Sequence, residues 1–358
     1  MINDFVEYWA AAKLLLASGN PYSPTELLSM ESSVGWSKSE PLVMWNPPWT
    51  LPLILPLGML DYDTAQLIWF LLHSLIIFVG AQILWQFYTD EPKTARYSLL
   101  SVLIFPPIYF ALLLGQIGPV VLLGIIGWLF FVQRKSWFFA GASLSLVSIK
   151  PHVSYLLWIA VVLWVLREKI WRLGLGAGVA ELLLMLIPLC WNSAIYTQYA
   201  ELLSSHAVVQ PTEWATPTLG TALGVLLSDP NGAMRWLPSA LGALWLLWYW
   251  SLHRAAWNWI LETPLILLVS VATASFAWTF DQVILLPAAV QCAVWMTNET
   301  LPQQQRLIVI CLYLIFAAVL VVGKMIGVND FWYLWFAPLL LLLYLYVRRH
   351  FRVVRECG

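Results

Sequence analysis

Apolar runs longer than the core of a water-soluble domain can use recur from residue 65 almost to the C-terminus. They are continuous, rich in leucine and free of strand-like alternation. In hydrocarbon every backbone N–H and C=O must find its partner within the protein, so only helices and closed barrels can cross a bilayer. A barrel strand alternates lipid-facing and lumen-facing residues, and these runs do not. The pattern is that of an all-α polytopic membrane protein. Composition agrees, with 61% of the 358 residues hydrophobic and 10% charged, against roughly a quarter charged in a soluble domain. The 23 tryptophans suit a chain with two membrane interfaces, where an amphipathic ring is favoured.

The runs place spans at 65–88, 97–114, 117–132, 137–149, 153–166, 173–191, 236–252, 260–278, 283–296, 307–323 and 331–347. That is about eleven, although a straight span takes about 20 residues and several of these are shorter. Segments 137–149 and 153–166 meet at Lys150-Pro151-His152, as in a hairpin that does not cross fully. Residues 1–64 differ. Residues 4–17 read as an amphipathic helix lying on the membrane, with Asp4, Glu7 and Lys13 polar. Residues 41–60 are apolar but carry several prolines, each costing a helix interior ~3 kcal/mol, and read as interfacial or re-entrant. The whole reads as one membrane-embedded domain. It has an outer segment (1–64), a helical core (65–191), an outer loop (192–236), C-terminal helices (237–347) and a basic tail (348–358).

Lysine and arginine set the orientation. With residues 1–64 outside, the inner loops and tail hold 13 of the 18 basic residues, among them Arg96, Arg134, Arg167, Arg254, Arg306 and Arg348. The outer side keeps only Lys13, Lys38, Lys150, Arg235 and Lys324, which satisfies the positive-inside rule. The carboxylates lean outward, giving an acid-lined outer face and a cytoplasmic C-terminus. A net charge of −1 offers nothing to a nucleic acid. The four cysteines and five histidines are scattered and form neither a disulfide framework nor a zinc pattern. No metal or cofactor is expected. Met1-Ile2-Asn3-Asp4 does not read as a signal peptide, having neither a basic start nor an apolar core.

Six positions stand out chemically. Asp4 precedes an apolar helix and could serve as a general base or as a helix N-cap. Lys150 stands in an apolar stretch where a lone ammonium costs roughly 3 kcal/mol. It either meets an anionic partner such as a phosphate or snorkels to the surface. Asp281, at the start of an aliphatic run ending in Pro287, is a loop residue or part of a site wall. His206 in the long outer loop could bind a phosphate or a sugar hydroxyl, or simply be solvated. Gln116, in a tight Gly115-Gln116 hairpin, is a turn residue or a cavity lining. Glu181, the acid deepest in a span, is expected to face a helix or cavity rather than lipid. These readings do not separate an enzyme from a transporter.

The order of the segments resembles glycosyltransferase family 87. The resemblance rests on Asp4-Phe5, Tyr8, Ala10-Ala11-Ala12 and Gly19-Asn20-Pro21-Tyr22, followed by Asn46-Pro47-Pro48. After these come Gly115-Gln116, Gln133-Arg134-Lys135, Ala140-Gly141, Lys150-Pro151 and the stretch from Asp281 to Pro287. It is fullest over residues 4–172. It implies a GT-C-like helical bundle and inverting transfer of a sugar from a polyprenyl-phosphate donor. The acceptor would be a glycan or glycolipid hydroxyl at the outer face of the cell membrane, and the sugar mannose or another hexose or pentose. It implies that Asp4 is the base, that Lys150 meets the donor phosphate, and that His206, Gln116, Tyr22 and Asp281 contribute to substrate binding. It also implies a helix before the first outer Asp. Only three residues precede Asp4, so an in-frame apolar segment upstream is expected. Two other readings stand beside it. One is a transporter or flippase for a lipid-linked or anionic substrate. The other is a catalytically inactive relative lacking the first helix.

Overall fold

The computed structural model describes residues 2–89, 96–205, 209, 213–229, 232–297 and 301–357, with side chains to Phe351. Among these residues there is no strand. The helices are α1 (Phe5–Leu16), α2 (Pro24–Ser33), α3 (Leu51–Gly58), α4 (Tyr62–Tyr88), α5 (Arg96–Leu103) and α6 (Pro106–Leu114). The chain continues with α7 (Gly118–Gln133), α8 (Trp137–Leu144), α9 (Tyr155–Glu168), α10 (Trp171–Leu186), α11 (Ile195–Ser204) and α12 (Leu219–Leu226). It ends with α13 (Leu237–His253), α14 (Trp259–Ala272), α15 (Leu286–Thr297), α16 (Gln303–Met325) and α17 (Phe336–Cys357).

Five helical stretches are long and apolar enough to cross a membrane: Tyr62–Tyr88, Trp171–Cys190, Thr279–Thr297, Gln303–Met325 and Asp330–Phe351. A sixth is the pair α5–α6, bent by 68° where Pro106 and Pro107 follow Phe105. A residue before proline is pushed out of the α region, and Phe105 accordingly adopts extended dihedrals (φ −101°, ψ 95°). The other expected spans are also helical but fall short of a full crossing: α7, α9 and α13 have 16, 14 and 17 residues, α8 ends at Leu144 and α14 at Ala272. Long aliphatic side chains on α4, α10, α13 and α16 are widely exposed, among them Leu71, Leu182, Leu244 and Ile315. Exposed leucine at this density is a lipid-facing surface.

Small residues set the closest helix contacts. A Cβ on Gly141 of α8 would strike the Leu173 carbonyl of α10, and one on Gly176 would strike the Phe138 carbonyl of α8. Without a hydrophobic drive between helices in lipid, such backbone-to-backbone approach supplies the dispersion contact that holds them.

The N-terminal segment departs from the expectation of an interfacial amphipathic helix. Nearly all of α1 is buried: Phe5, Val6, Ala10, Ala11, Ala12 and Leu15 have no exposed surface, and Glu7 is buried too. α2, α3 and α4 all pack against α1. Trp9 Nε1 and Lys13 Nζ both donate to the Leu60 carbonyl, at 3.1 and 3.4 Å. The three alanines let α3 approach, and the polar groups are satisfied by protein, so α1 is core rather than membrane surface. Residues 41–60 are irregular up to Pro47, then form a 3-10 turn (Pro48–Thr50) and the short α3.

Near the C-terminus of α13, the N-terminus of α14 and the middle of α17, Arg348 Nη2 donates to Glu262 Oε2 (2.6 Å) and Tyr249 Oη (3.1 Å). Tyr249 Oη donates to the same Glu262 oxygen at 2.8 Å. This buried group is held entirely by regular helices.

Candidate active site

The opposite end of the bundle is built from irregular backbone. α6 ends at Gly115, whose left-handed conformation (φ 70°) closes a tight turn into α7. A Cβ there would lie 2.8 Å from Phe5 Cβ, so glycine is required both by conformation and by space. The turn docks on the N-terminal segment. Asn3 Nδ2 donates to the Leu113 carbonyl (2.9 Å), Trp69 Nε1 to the Gly115 carbonyl (2.8 Å) and Gln66 Nε2 to Asn3 Oδ1 (2.9 Å). These contacts set Asp4 beside Gln116.

Lys150 is placed by two breaks. α8 gives way to a 3-10 turn (Val147–Ile149), Pro151 bars the α conformation at Lys150 (φ −130°, ψ 69°), and a second 3-10 turn (Pro151–Val153) precedes α9. Asp281 lies in a 3-10 stretch (Thr279–Leu285) leading into α15 and packed against α6 and α7. Its Oδ2 accepts from the Trp278 N–H at 2.9 Å.

These segments bring four of the expected residues into one hydrogen-bonded chain. Gln116 Nε2 donates to Asp4 Oδ2 at 2.9 Å. Gln116 Oε1 accepts from Tyr8 Oη (3.2 Å) and from Lys150 Nζ (3.4 Å). Lys150 Nζ also donates to Asp281 Oδ1 at 2.6 Å. Because two donors converge on the amide oxygen, the amide nitrogen must face the Asp4 carboxylate. Lys150 is 8%, Gln116 6% and Asp281 2% exposed, so their charges interact in a medium far less screening than water. Asp4 precedes α1, but its side chain caps none of that helix's N–H groups. Its carboxylate is turned to Gln116 instead. An aromatic wall flanks the chain: Lys150 Nζ lies 5.1 Å from the Phe280 ring, and the half-buried Trp278, Trp214 and Trp45 continue from it in ring contact.

Burial raises the Asp4 carboxyl above the ordinary carboxylate value, while the Gln116 hydrogen bond and the Lys38 and Lys150 charges pull it back down. One turn on, burial and then the Asp4 charge push Glu7 well up. Glu31 has no exposed surface. Its Oε2 accepts from the Leu42 N–H (3.0 Å), its Oε1 has no hydrogen-bond partner, and burial pushes it up to about 7.

Tyr22 joins the chain only indirectly. It is buried, its Oη donates to the Asn46 carbonyl (3.2 Å), and Asn46 Nδ2 donates to the carbonyl of Ile149, next to Lys150 (3.4 Å). His206 lies outside the described residues. Glu181 accepts from Ser148 Oγ at 3.2 and 3.0 Å, so the half-buried acid meets the 3-10 turn that follows α8. Sequence reasoning missed Asn3, Glu7, Tyr8, Glu31 and Asn46 as parts of this end. Tyr8 and Asn46 stood within the quoted motifs, but nothing in their spacing to Gln116 or Lys150 revealed the pairing.

An all-helical, multi-spanning membrane protein with a buried acid–amide–lysine–acid chain at one end is the class that fold and geometry define. Residues 45–271 match glycosyltransferase family 87. The match covers more than half of the chain, and the chain belongs to that family: it is a membrane glycosyltransferase. Gln116, Lys150 and Asn46 fall within the matched stretch, while Asp4 and Asp281 flank it. No curated protein and no solved structure matches the chain.

Proposed function

We propose that the protein transfers a sugar, mannose or another hexose or pentose, from a polyprenyl phosphate to a hydroxyl of a glycan or glycolipid, with inversion at the anomeric carbon. The observation that supports this reading is the Asp4–Gln116–Lys150–Asp281 chain, in which the Gln116 amide links the Asp4 carboxylate to the Lys150 ammonium. Asp4 is the base. Gln116 occupies its Oδ2 and leaves Oδ1 to take the acceptor's proton. As that O–H bond breaks, the acceptor oxygen forms its bond to the anomeric carbon and the bond from that carbon to the phosphate oxygen breaks. The electron pair leaves with the polyprenyl phosphate, and one displacement inverts the centre.

Lys150 meets the phosphate. Two of its three hydrogens go to Gln116 and Asp281, and the third is left to the leaving oxygen. Asp281 holds the ammonium in place, and Tyr22 acts through Asn46 on the backbone that carries it. His206 completes the phosphate or sugar contacts from the outer loop. About eleven segments cross or enter the cell membrane, with this end outside and the C-terminus cytoplasmic, in keeping with the distribution of basic residues.

Purified protein in proteoliposomes is expected to transfer labelled sugar from a polyprenyl-phospho-sugar and not from a nucleotide sugar. The anomeric configuration of the product, read by NMR, should be opposite to the donor's. Turnover on a nucleotide sugar alone, or a product of retained configuration, would overturn the reading.

A further inference from the structure

A cavity of about 360 Å³ lies among α4, α5, α14, α15, α16 and α17; Leu285 in its wall ends the 3-10 stretch that carries Asp281, but Asp4, Gln116, Lys150 and Asp281 do not line it. That volume falls in the range of ligand pockets, roughly 300–1,000 Å³. Its walls are almost wholly apolar, from Phe105 and Leu285 at one side to Val309 and Val347 at another. Arg306 at one end apart, the hydroxyl groups that line it are used up by the protein. Ser101 Oγ donates to the Tyr97 carbonyl, Tyr313 Oη to the Ile104 carbonyl, Thr297 Oγ1 to the Val294 carbonyl and Tyr344 Oη to Gln291. Along its apolar length a sugar or other polar ligand would lose its hydration and gain nothing in return. A hydrocarbon chain would lose nothing. Three lining residues, Leu100, Ile310 and Leu314, are 50%, 38% and 45% exposed, so the cavity opens sideways between α5 and α16 onto the lipid-facing surface.

Two arginines stand at one end of it. Arg306 lines the cavity, and its Nη1 donates to the Met296 carbonyl at 3.2 Å. Arg96 lies over the ring of Tyr97, another lining residue, 5.1 Å from its centroid. This end is on the far side of the bilayer from the candidate active site. Lys324, near the other end of α16, pairs with Asp330, which accepts from Thr279 Oγ1, two residues from Asp281. Along α16, Arg306 and Lys324 are about 27 Å apart at roughly 1.5 Å per residue, close to the ~30 Å of a hydrocarbon core. A donor with its phosphate at Lys150 cannot also place that phosphate at Arg306.

We infer that this cavity holds an acyl chain of an anionic phospholipid from the leaflet opposite the active site, with the lipid phosphate on Arg306 and Arg96. The occupancy is independent of the transfer reaction and is read without turnover. Purified protein in phosphatidylcholine nanodiscs would be photolabelled with a phosphatidylglycerol carrying a diazirine in its acyl chain. Labelled peptides should map to α15 and α16. Ala289→Trp, which fills the cavity, should abolish the label. Arg306→Gln should lower it about fivefold, the weight of one basic residue at an anionic lipid surface, and leave labelling by a phosphatidylcholine diazirine unchanged. Size-exclusion profiles report folding, and Arg306→Gln, which gives up the hydrogen bond to the Met296 carbonyl but no apolar lining, decides the matter should Ala289→Trp misfold. Undiminished labelling of Arg306→Gln would overturn the inference. So would displacement of the label by excess polyprenyl phosphate, which would make the cavity the donor's own.

Discussion

Two buried ion pairs stand at opposite ends of the bundle, and they are built differently. Arg348, Glu262 and Tyr249 close on one another from three regular helices, each already fixed by its own backbone hydrogen bonds. Lys150 and Asp281 come from 3-10 turns and a proline break, and reach Asp4 through a single side-chain amide. Irregular backbone at membrane depth is tolerated only where protein buries it or where it lines a cavity. The first arrangement locks helices together and seals its unpartnered Arg348 Nη1 in the interior. The second keeps an acceptor oxygen on Asp4 and a donor hydrogen on Lys150 uncommitted, at a cost in regular structure. A binding or catalytic role needs such unspent valence.

The sharpest way to break this contrast is to cut each pair. Arg348→Met leaves Glu262 buried without its cation and should destabilise the protein by about 3–5 kcal/mol, the usual penalty for half of a buried pair. Turnover per folded molecule should be unchanged, as read by thermal unfolding in detergent beside a transfer assay. Lys150→Met should instead lower turnover about 10²–10³-fold, the loss of one preorganised electrostatic donor. Adding Asp281→Asn to it should restore thermal stability but not turnover. Recovery of both would make the Lys150 pair a structural clamp like the Arg348 group.

Gln116→Leu tests the amide link. Asp4 loses the hydrogen bond that holds its carboxyl down, so the acid limb of the turnover–pH profile should move to higher pH. At a fixed pH on that limb the loss is about tenfold, corresponding to ~1.5 kcal/mol for a hydrogen bond to a charged group. An unmoved acid limb would detach Gln116 from Asp4. Glu31, within the Asp4 end but outside the chain, should affect stability and leave turnover unmoved. Its folded value of about 7 lies above the ordinary 4.5. Its contribution to stability is therefore complete below about pH 4.5 and is lost as pH rises through 7. Glu31→Gln should flatten that part of the stability–pH curve measured by thermal unfolding.

The helices were legible because membrane burial writes itself as long apolar runs: residues 65–88, 117–132 and 307–323 fall almost on α4, α7 and α16. Lys150 was legible because an isolated charge in such a run demands a partner, and Asp281 because it stands at the head of an aliphatic run. That each is the other's partner was not, since 131 residues separate them. α1 was misplaced because a helix bearing Asp4, Glu7 and Lys13 looks amphipathic until its alanines and the Leu60 carbonyl are seen to bury it. Glu31 gave no signal at all, because its burial depends on how the segment around Leu42 folds back on it.

The central claim is that Asp4 takes the acceptor's proton, and Asp4→Asn tests it most directly. The amide keeps the size and the Gln116 contact but cannot accept a proton. With a polyprenyl-phospho-sugar in proteoliposomes, turnover should fall about 10²–10⁴-fold, the range for loss of a general base, while donor affinity and the thermal midpoint stay at wild-type values. Full turnover by Asp4→Asn would contradict the account.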